Sequence, residues 1–254
     1  MDWLATSKQL LDPYSIKARL IPGLLLVLPA LFYFAVTYGP QDPTLTIALS
    51  LLGSCGVPYL LSGIVRSHGL RAQERLVKNW GGMPTTLLLR HSNSRLPSKL
   101  KHQYHEIIAD LYGIPMPSEK IERSSPEFSD DCYLTATKYL LAATRQRDDF
   151  PLIHKELASY GFARNCYGIR WLGLITSTVV LFKIAIDVGL LSSGTVDGFS
   201  HSVSQISLST AIIALASFFM VYVWLIHFDS NTVEVAGYCY GERLLEALPQ
   251  IKKC

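Results

Sequence analysis

Apolar residues fall into four long runs, Leu20 to Tyr38, Thr44 to Val65, Trp171 to Leu191 and Ile206 to Phe228. Each approaches or exceeds the ~20 residues that a helix needs to cross a hydrocarbon core. The first two runs are joined by the tight, breaker-rich turn GPQDP and the last two by the polar stretch SSGTVDGFSHSVSQ, so two antiparallel hairpins are expected. Ahead of them, MDWLATSKQLLDPYSIKARL sets Trp3, Leu4, Leu10 and Leu11 among polar residues before Pro13, the pattern of a short helix lying at a membrane surface. The long polar lead-in and the span-length run after it disfavour a cleaved signal peptide.

Between the hairpins the period changes. Arg71 to Trp80 continues the second run outwards, Pro97 to Tyr112 repeats apolar residues at helix spacing (Leu100, Tyr104, Ile107, Ile108, Leu111), and Asp130 to Thr144 does the same. IPMPSEKIERSSPEF connects them, with Ser118 as a candidate N-cap. Met83 to Arg90 fits a short strand or a helix start. A helix from Pro151 to Tyr160 leads into the third run, and Thr232 to Leu248 reads as a tail helix weakened by Gly237 and Gly241. The expected architecture is an all-α membrane protein with four transmembrane helices and a mainly helical insert. Residues 1–65 hold the interfacial segment and first hairpin, 66–170 the insert, 171–228 the second hairpin, and 229–254 the tail.

Composition agrees with a membrane class: 49% of residues are hydrophobic, 17% charged, and the mean hydropathy is +0.25. The net charge is only +3, but residues 66–170 hold sixteen Lys and Arg against eleven Asp and Glu. Neither connection within a hairpin carries a Lys or Arg, whereas Lys8, Lys17, Arg19, Arg66, Arg71, Arg75, Lys78, Arg164, Arg170 and Arg243 flank the opposite ends. The positive-inside rule therefore predicts a cytoplasmic insert and cytoplasmic termini. Cys55, Cys132, Cys166, Cys239 and Cys254 form no CxxC pair and read as free thiols.

Within the spans, Pro22, Pro29 and Pro58 can bend helices, and Gly53 with Gly56 permits close packing. Lys183 and Asp187 stand four apart on one helical face, where an isolated charge costs about 2.5 to 3.5 kcal/mol on insertion scales. They form either a structural ion pair or a pore-lining pair.

Candidate chemistry concentrates between Trp80 and His105. Gly81, Gly82, Thr85, Thr86, Arg90 and His91 bring together amides, hydroxyls and a guanidinium, the groups that hold phosphate oxygens. Arg95, Lys99, Lys101, His102 and Tyr104 add cations and a ring, and Arg145, Arg147 and Arg164 follow later. A polyanion with bases to stack suits this mixture, as does a basic surface near anionic lipid heads. GxxxxGK[ST] and the dinucleotide-binding glycine fingerprint are both absent. His102 and His105 lack the glutamate-bearing zinc pattern, so no metal is expected. The acidic pairs Asp130–Asp131 and Asp148–Asp149 read as a cap and a loop, and no Ser or Cys sits in a nucleophile elbow. No enzyme and no cofactor is expected.

The runs GGMPTTLLLRH, KLKHQYH and TRQRDDFPLIHKELASYGFARN, followed by an apolar pair, resemble the HalA membrane effectors of the Hailong anti-phage defence system. These are four-span proteins encoded beside nucleotidyltransferases. The resemblance implies a homo-oligomeric ion channel, with a tetramer among the candidates, in the bacterial inner membrane. Its cytoplasmic domain would bind a single-stranded DNA oligomer made by the partner nucleotidyltransferase, which represses the channel until its loss causes growth arrest. Arg164 and Asn165 of YGFARN join the candidate contacts, while Ala163 stands where the pattern expects a second arginine. A membrane-anchored adaptor without conduction, or a channel activated by a nucleotide signal, are the alternatives.

Overall fold

A computed structural model describes residues 12–38, 57–146, 148–190, 204 and 206–251. The N-terminal amphipathic segment, the 39–43 turn, residues 44–56 of the second run, Arg147 and most of the second polar connection lie outside them, as do Gly53, Gly56, Cys55 and Cys254. Among the described residues the chain is all-helical: α1 (Pro13–Thr37), α2 (Val57–Trp80), α3 (Pro84–Leu87), α4 (Ser98–Tyr112), α5 (Glu119–Ser124), α6 (Pro126–Ala143), α7 (Pro151–Asp187), α8 (Leu208–His227) and α9 (Ser230–Glu246), with a 3-10 turn at Leu248–Gln250. Three of them, α1, α7 and α8, are long and apolar enough to cross a membrane.

Several boundaries follow from local chemistry. Ser118 caps α5 by accepting from the Ile121 amide, as expected. Pro126 at the first turn starts α6 four residues ahead of Asp130, because a proline there has no amide to leave unpaired. The expected helix from Pro151 and the third span are one continuous helix, α7. Met83 to Arg90 resolves as the short helix α3.

The chain divides into two compact units: an apolar one, Met1–Ala72 with Phe162–Asp229, and a polar one, Gln73–Gly161 with Ser230–Cys254. In the apolar unit Leu26, Val65, Ile169, Met220, Trp224 and Phe228 form one core, and Tyr33, Val180, Ile184 and Ile213 a second. The outward side chains are apolar too: Leu60, Ile175, Phe182, Leu208, Leu215 and Phe218 are all exposed. An apolar exterior around an apolar core is what a lipid solvent selects. α2 and α7 touch backbone to backbone, since a Cβ at Gly168 would lie 2.7 Å from the Gly69 amide nitrogen. Beside this contact Asn165 donates its amide to the Ala18 carbonyl, inside a π-helical turn of α1 (Ile16–Leu20).

In the polar unit the tail helix α9 packs on α3, so the tail belongs to the same unit as the insert. Gly241 has a reason to be small: a Cβ there would meet Thr85 Cα at 3.1 Å and Leu88 Cδ1 at 2.8 Å. Overpacking such contacts costs about 1 to 3 kcal/mol. Gly168→Ala should therefore lower the thermal midpoint of the detergent-solubilised protein, whereas Gly63→Ala, with nothing within 4 Å of its Cβ, should leave it unchanged or slightly raised. Equal midpoints for the two variants would show that the α2–α7 contact is not tight.

Candidate ligand-binding site of the polar unit

At the end of α2, Gly81 (φ 74°) and Gly82 (φ 153°) turn the chain in a region that only glycine enters freely. α3 then buries Thr85, Thr86 and Leu87, and the chain runs through an irregular segment, 88–97, into α4. A non-helical segment buried at its start must find partners for its backbone polar groups elsewhere.

Two charged side chains supply them. Lys101, only 4% exposed, directs its ammonium at three backbone carbonyls, those of Arg90 (2.7 Å), His91 (3.3 Å) and Asn93. Glu122 accepts from the amides of His91 (2.8 Å) and Ser92 (3.0 Å) and from the Tyr133 hydroxyl (2.6 Å). Arg90, partly exposed, pairs bidentately with Asp130 at 2.7 and 2.6 Å and donates to the Gly81 carbonyl at 2.9 Å. His91 donates from Nε2 to the Pro117 carbonyl, and His105 from Nε2 to that of Leu89, the two rings meeting edge to face at 4.9 Å. His105 also stacks on Tyr133.

The titrations follow from this packing. Burial pushes the Lys101 ammonium down, with Glu122 pulling the other way. Burial would raise Glu122, but its hydrogen bonds from Tyr133, His91 and Ser92 outweigh that and hold the carboxyl at about 2. Burial also lowers His105 to about 4, so its ring is neutral at pH 7. Tyr104 and Tyr133 are raised, first by burial and then by nearby carboxylates.

The expected contacts therefore separate into three groups. Thr85, Thr86, Lys101 and Tyr104 are buried, and Arg90 and His91 are engaged within the unit. At the surface are Arg95, Lys99, His102 and Arg145, with Trp80 and Gly82 partly covered and Gly81 open. The Arg95 guanidinium lies over the Tyr238 ring at 3.8 Å, and His102 faces Glu106. Arg164 and Asn165 fall in the apolar unit, both buried and hydrogen-bonded to one another. Sequence reasoning missed Glu122, Asp130, Tyr133 and Tyr238, whose partners lie far away in the chain. Among the described residues no three His, Cys, Asp or Glu side chains converge as a metal set.

Charge redistributes in the same way. The polar unit holds fifteen Lys and Arg and fourteen Asp and Glu. The positive surplus of residues 66–170 is carried by Arg66, Arg71, Arg164 and Arg170 of the apolar unit.

In the apolar unit Lys183 pairs with Asp187, and the Tyr33 hydroxyl donates to the same carboxylate. The Lys183 and Asp187 side chains are 45% and 37% exposed. Comparison with protein-family models, characterised proteins and solved structures returned no match.

Lys101→Met should destabilise the polar unit by about 3 kcal/mol, because carbonyls that lose a partner while buried each cost about 1 to 3 kcal/mol. Lys99→Met, on the exposed face, should change stability by less than about 0.5 kcal/mol. Denaturant unfolding of the solubilised protein measures both.

Acid should act in two windows. A neutral buried His105 stabilises fully above its unfolded pKa of 6.5 and loses that contribution as pH falls to about 4. Glu122 stabilises fully above 4.5 and loses its contribution as pH falls towards 2. Glu122→Gln should flatten the lower window and leave the upper one, as read from unfolding midpoints between pH 7 and pH 2.5.

Proposed function

We propose that the chain is a homo-oligomeric membrane effector that conducts ions and is controlled by a ligand on its polar unit. The observation that carries this reading is the half-exposed Lys183–Asp187 pair. Lys183 lies thirteen residues beyond Arg170, or about 20 Å along the helix, within a hydrocarbon core of about 30 Å. A charged pair with that exposure does not face lipid favourably; it faces water or a second copy of the chain. Four spans in one protomer enclose no obvious wide pore, which also favours an oligomer.

The ligand is a single-stranded DNA oligomer supplied by a partner nucleotidyltransferase, held at Arg95, Lys99, His102 and Arg145 with Trp80 as a stacking face. Support comes from the resemblance and from the exposure of these side chains. Arg90 and Lys101 act differently, by shaping the 88–97 segment. Because the polar unit carries almost no net charge, binding depends on these individual exposed side chains rather than on a long-range field. The ligand represses conduction, and its loss causes growth arrest of a bacterium whose inner membrane holds the protein with its polar unit and termini in the cytoplasm.

A second reading has its own observation. The Tyr33 hydrogen bond closes the charged pair onto α1, as a structural clasp in a non-conducting membrane anchor would. Liposome flux separates the two. Channel function predicts ion passage by the purified protein, with Asp187→Asn changing ion preference while assembly is retained. No flux in any condition, or collapse of assembly in Asp187→Asn with recovery in the charge-swapped Lys183→Asp/Asp187→Lys, favours the clasp.

For the ligand, a gel-shift titration with short DNA strands at two salt concentrations is decisive. Lys99→Ala and Arg95→Ala should each weaken binding and reduce its salt slope by about one unit, and should make the protein toxic in cells. Binding unchanged in both variants would exclude Arg95 and Lys99 as ligand contacts.

A further inference from the structure

The outer face of α6 is largely open, with only Tyr139 at its edge stacking on Tyr112 of α4. Its inner face buries Ser129, Cys132, Tyr133, Ala136, Thr137 and Leu140. On the opposite side Phe128, Leu134 and Leu141 are 54%, 40% and 42% exposed, with Asp131 and Lys138 between them, also exposed and without a salt bridge among the described residues. Positions 131, 134, 138 and 141 follow the 3–4–3 spacing of a helix-pairing seam. Exposed leucines at 134 and 141, seven residues apart, with opposite charges at 131 and 138 on the same face, mark an interaction surface rather than random solvent exposure.

The charges choose the occupant. Asp131 stands three residues before Leu134 and Lys138 three residues after Thr135; Phe128 stands six before Leu134 and Leu141 six after Thr135. An antiparallel copy of the same helix, related by a two-fold axis between positions 134 and 135, therefore sets Asp131 against Lys138 and Phe128 against Leu141, twice over. A parallel copy in register would set each charge against its like. Self-complementarity about a two-fold is the requirement of an isologous contact.

We infer that α6 pairs antiparallel with α6 of a second copy of this chain, forming a two-fold contact between polar units around Leu134 and Thr135. The inference rests on the homo-oligomer of the reading above, and on nothing in its conduction or its ligand. Opposite charges across the seam fix the direction of pairing, and the leucines and phenylalanine supply the area removed from water.

The test uses the full chain in nanodiscs. Thr135→Cys places a thiol beside the axis, and mild oxidation followed by peptide mass spectrometry reads the disulfide joining the two copies at position 135. In that background Asp131→Lys and Lys138→Asp should each lower its yield about tenfold, since each sets like charges opposite one another. The double variant Asp131→Lys/Lys138→Asp should restore it, which also distinguishes a repelled interface from a misfolded single variant. Absence of the disulfide in Thr135→Cys, or a yield indifferent to charge reversal, overturns the pairing. Liposome flux from the same preparation reports separately on conduction, so either can fail without the other.

Discussion

A buried ammonium and a half-buried carboxylate hold the polar unit's irregular centre in place. Lys101 gathers the carbonyls of residues 90, 91 and 93, Glu122 gathers the amides of residues 91 and 92, and each thereby neutralises the exposed ends of peptide dipoles that no helix satisfies. Once that segment is fixed, Arg90 is delivered to Asp130, His91 and His105 meet, and Tyr133 is anchored beneath them. The arrangement is costly to dismantle piecemeal, because removing either charge leaves the backbone groups it held unpaired in a poorly solvated place.

The apolar unit is built on a different constraint. Around helices apolar enough to lie in lipid, apolar burial gives little drive to association, and close backbone approach with interhelical hydrogen bonds takes its place. Gly69 and Gly168 provide the approach, while Asn165 to Ala18 and Thr176 to the Leu26 carbonyl provide the bonds. Against that background Lys183, Asp187 and Tyr33 form a polar cluster in which the charged pair is partly exposed, on a helix whose Ile175, Val179, Phe182 and Ile186 are exposed. The functional proposal rests on that cluster.

Three of the four span-length runs, the helices α4 and α6 and the Ser118 cap were legible because periodicity and caps are local signals, whereas α5 itself was read as a connection. α3 was not, since a four-residue helix buried on all sides shows no period. Lys101 and Arg90 were read as surface cations because long charged side chains usually are; the burial of Lys101 and the pairing of Arg90 depend on carbonyls and a carboxylate brought together by tertiary folding. Gly237 and Gly241 looked like weaknesses in a helix and are instead where α3 docks. The four-residue spacing of Lys183 and Asp187 announced their pairing, but Tyr33, far earlier in the chain, carried no sign of joining them.

Native-state hydrogen exchange of the full chain at neutral pH reads whether charges internal to the polar unit lock the 88–97 segment. The amides of His91 and Ser92 should exchange as slowly as those of α4, with protection falling together in Lys101→Met and Glu122→Gln. Exchange of those amides at the rate of an open loop in the unaltered protein would contradict the lock.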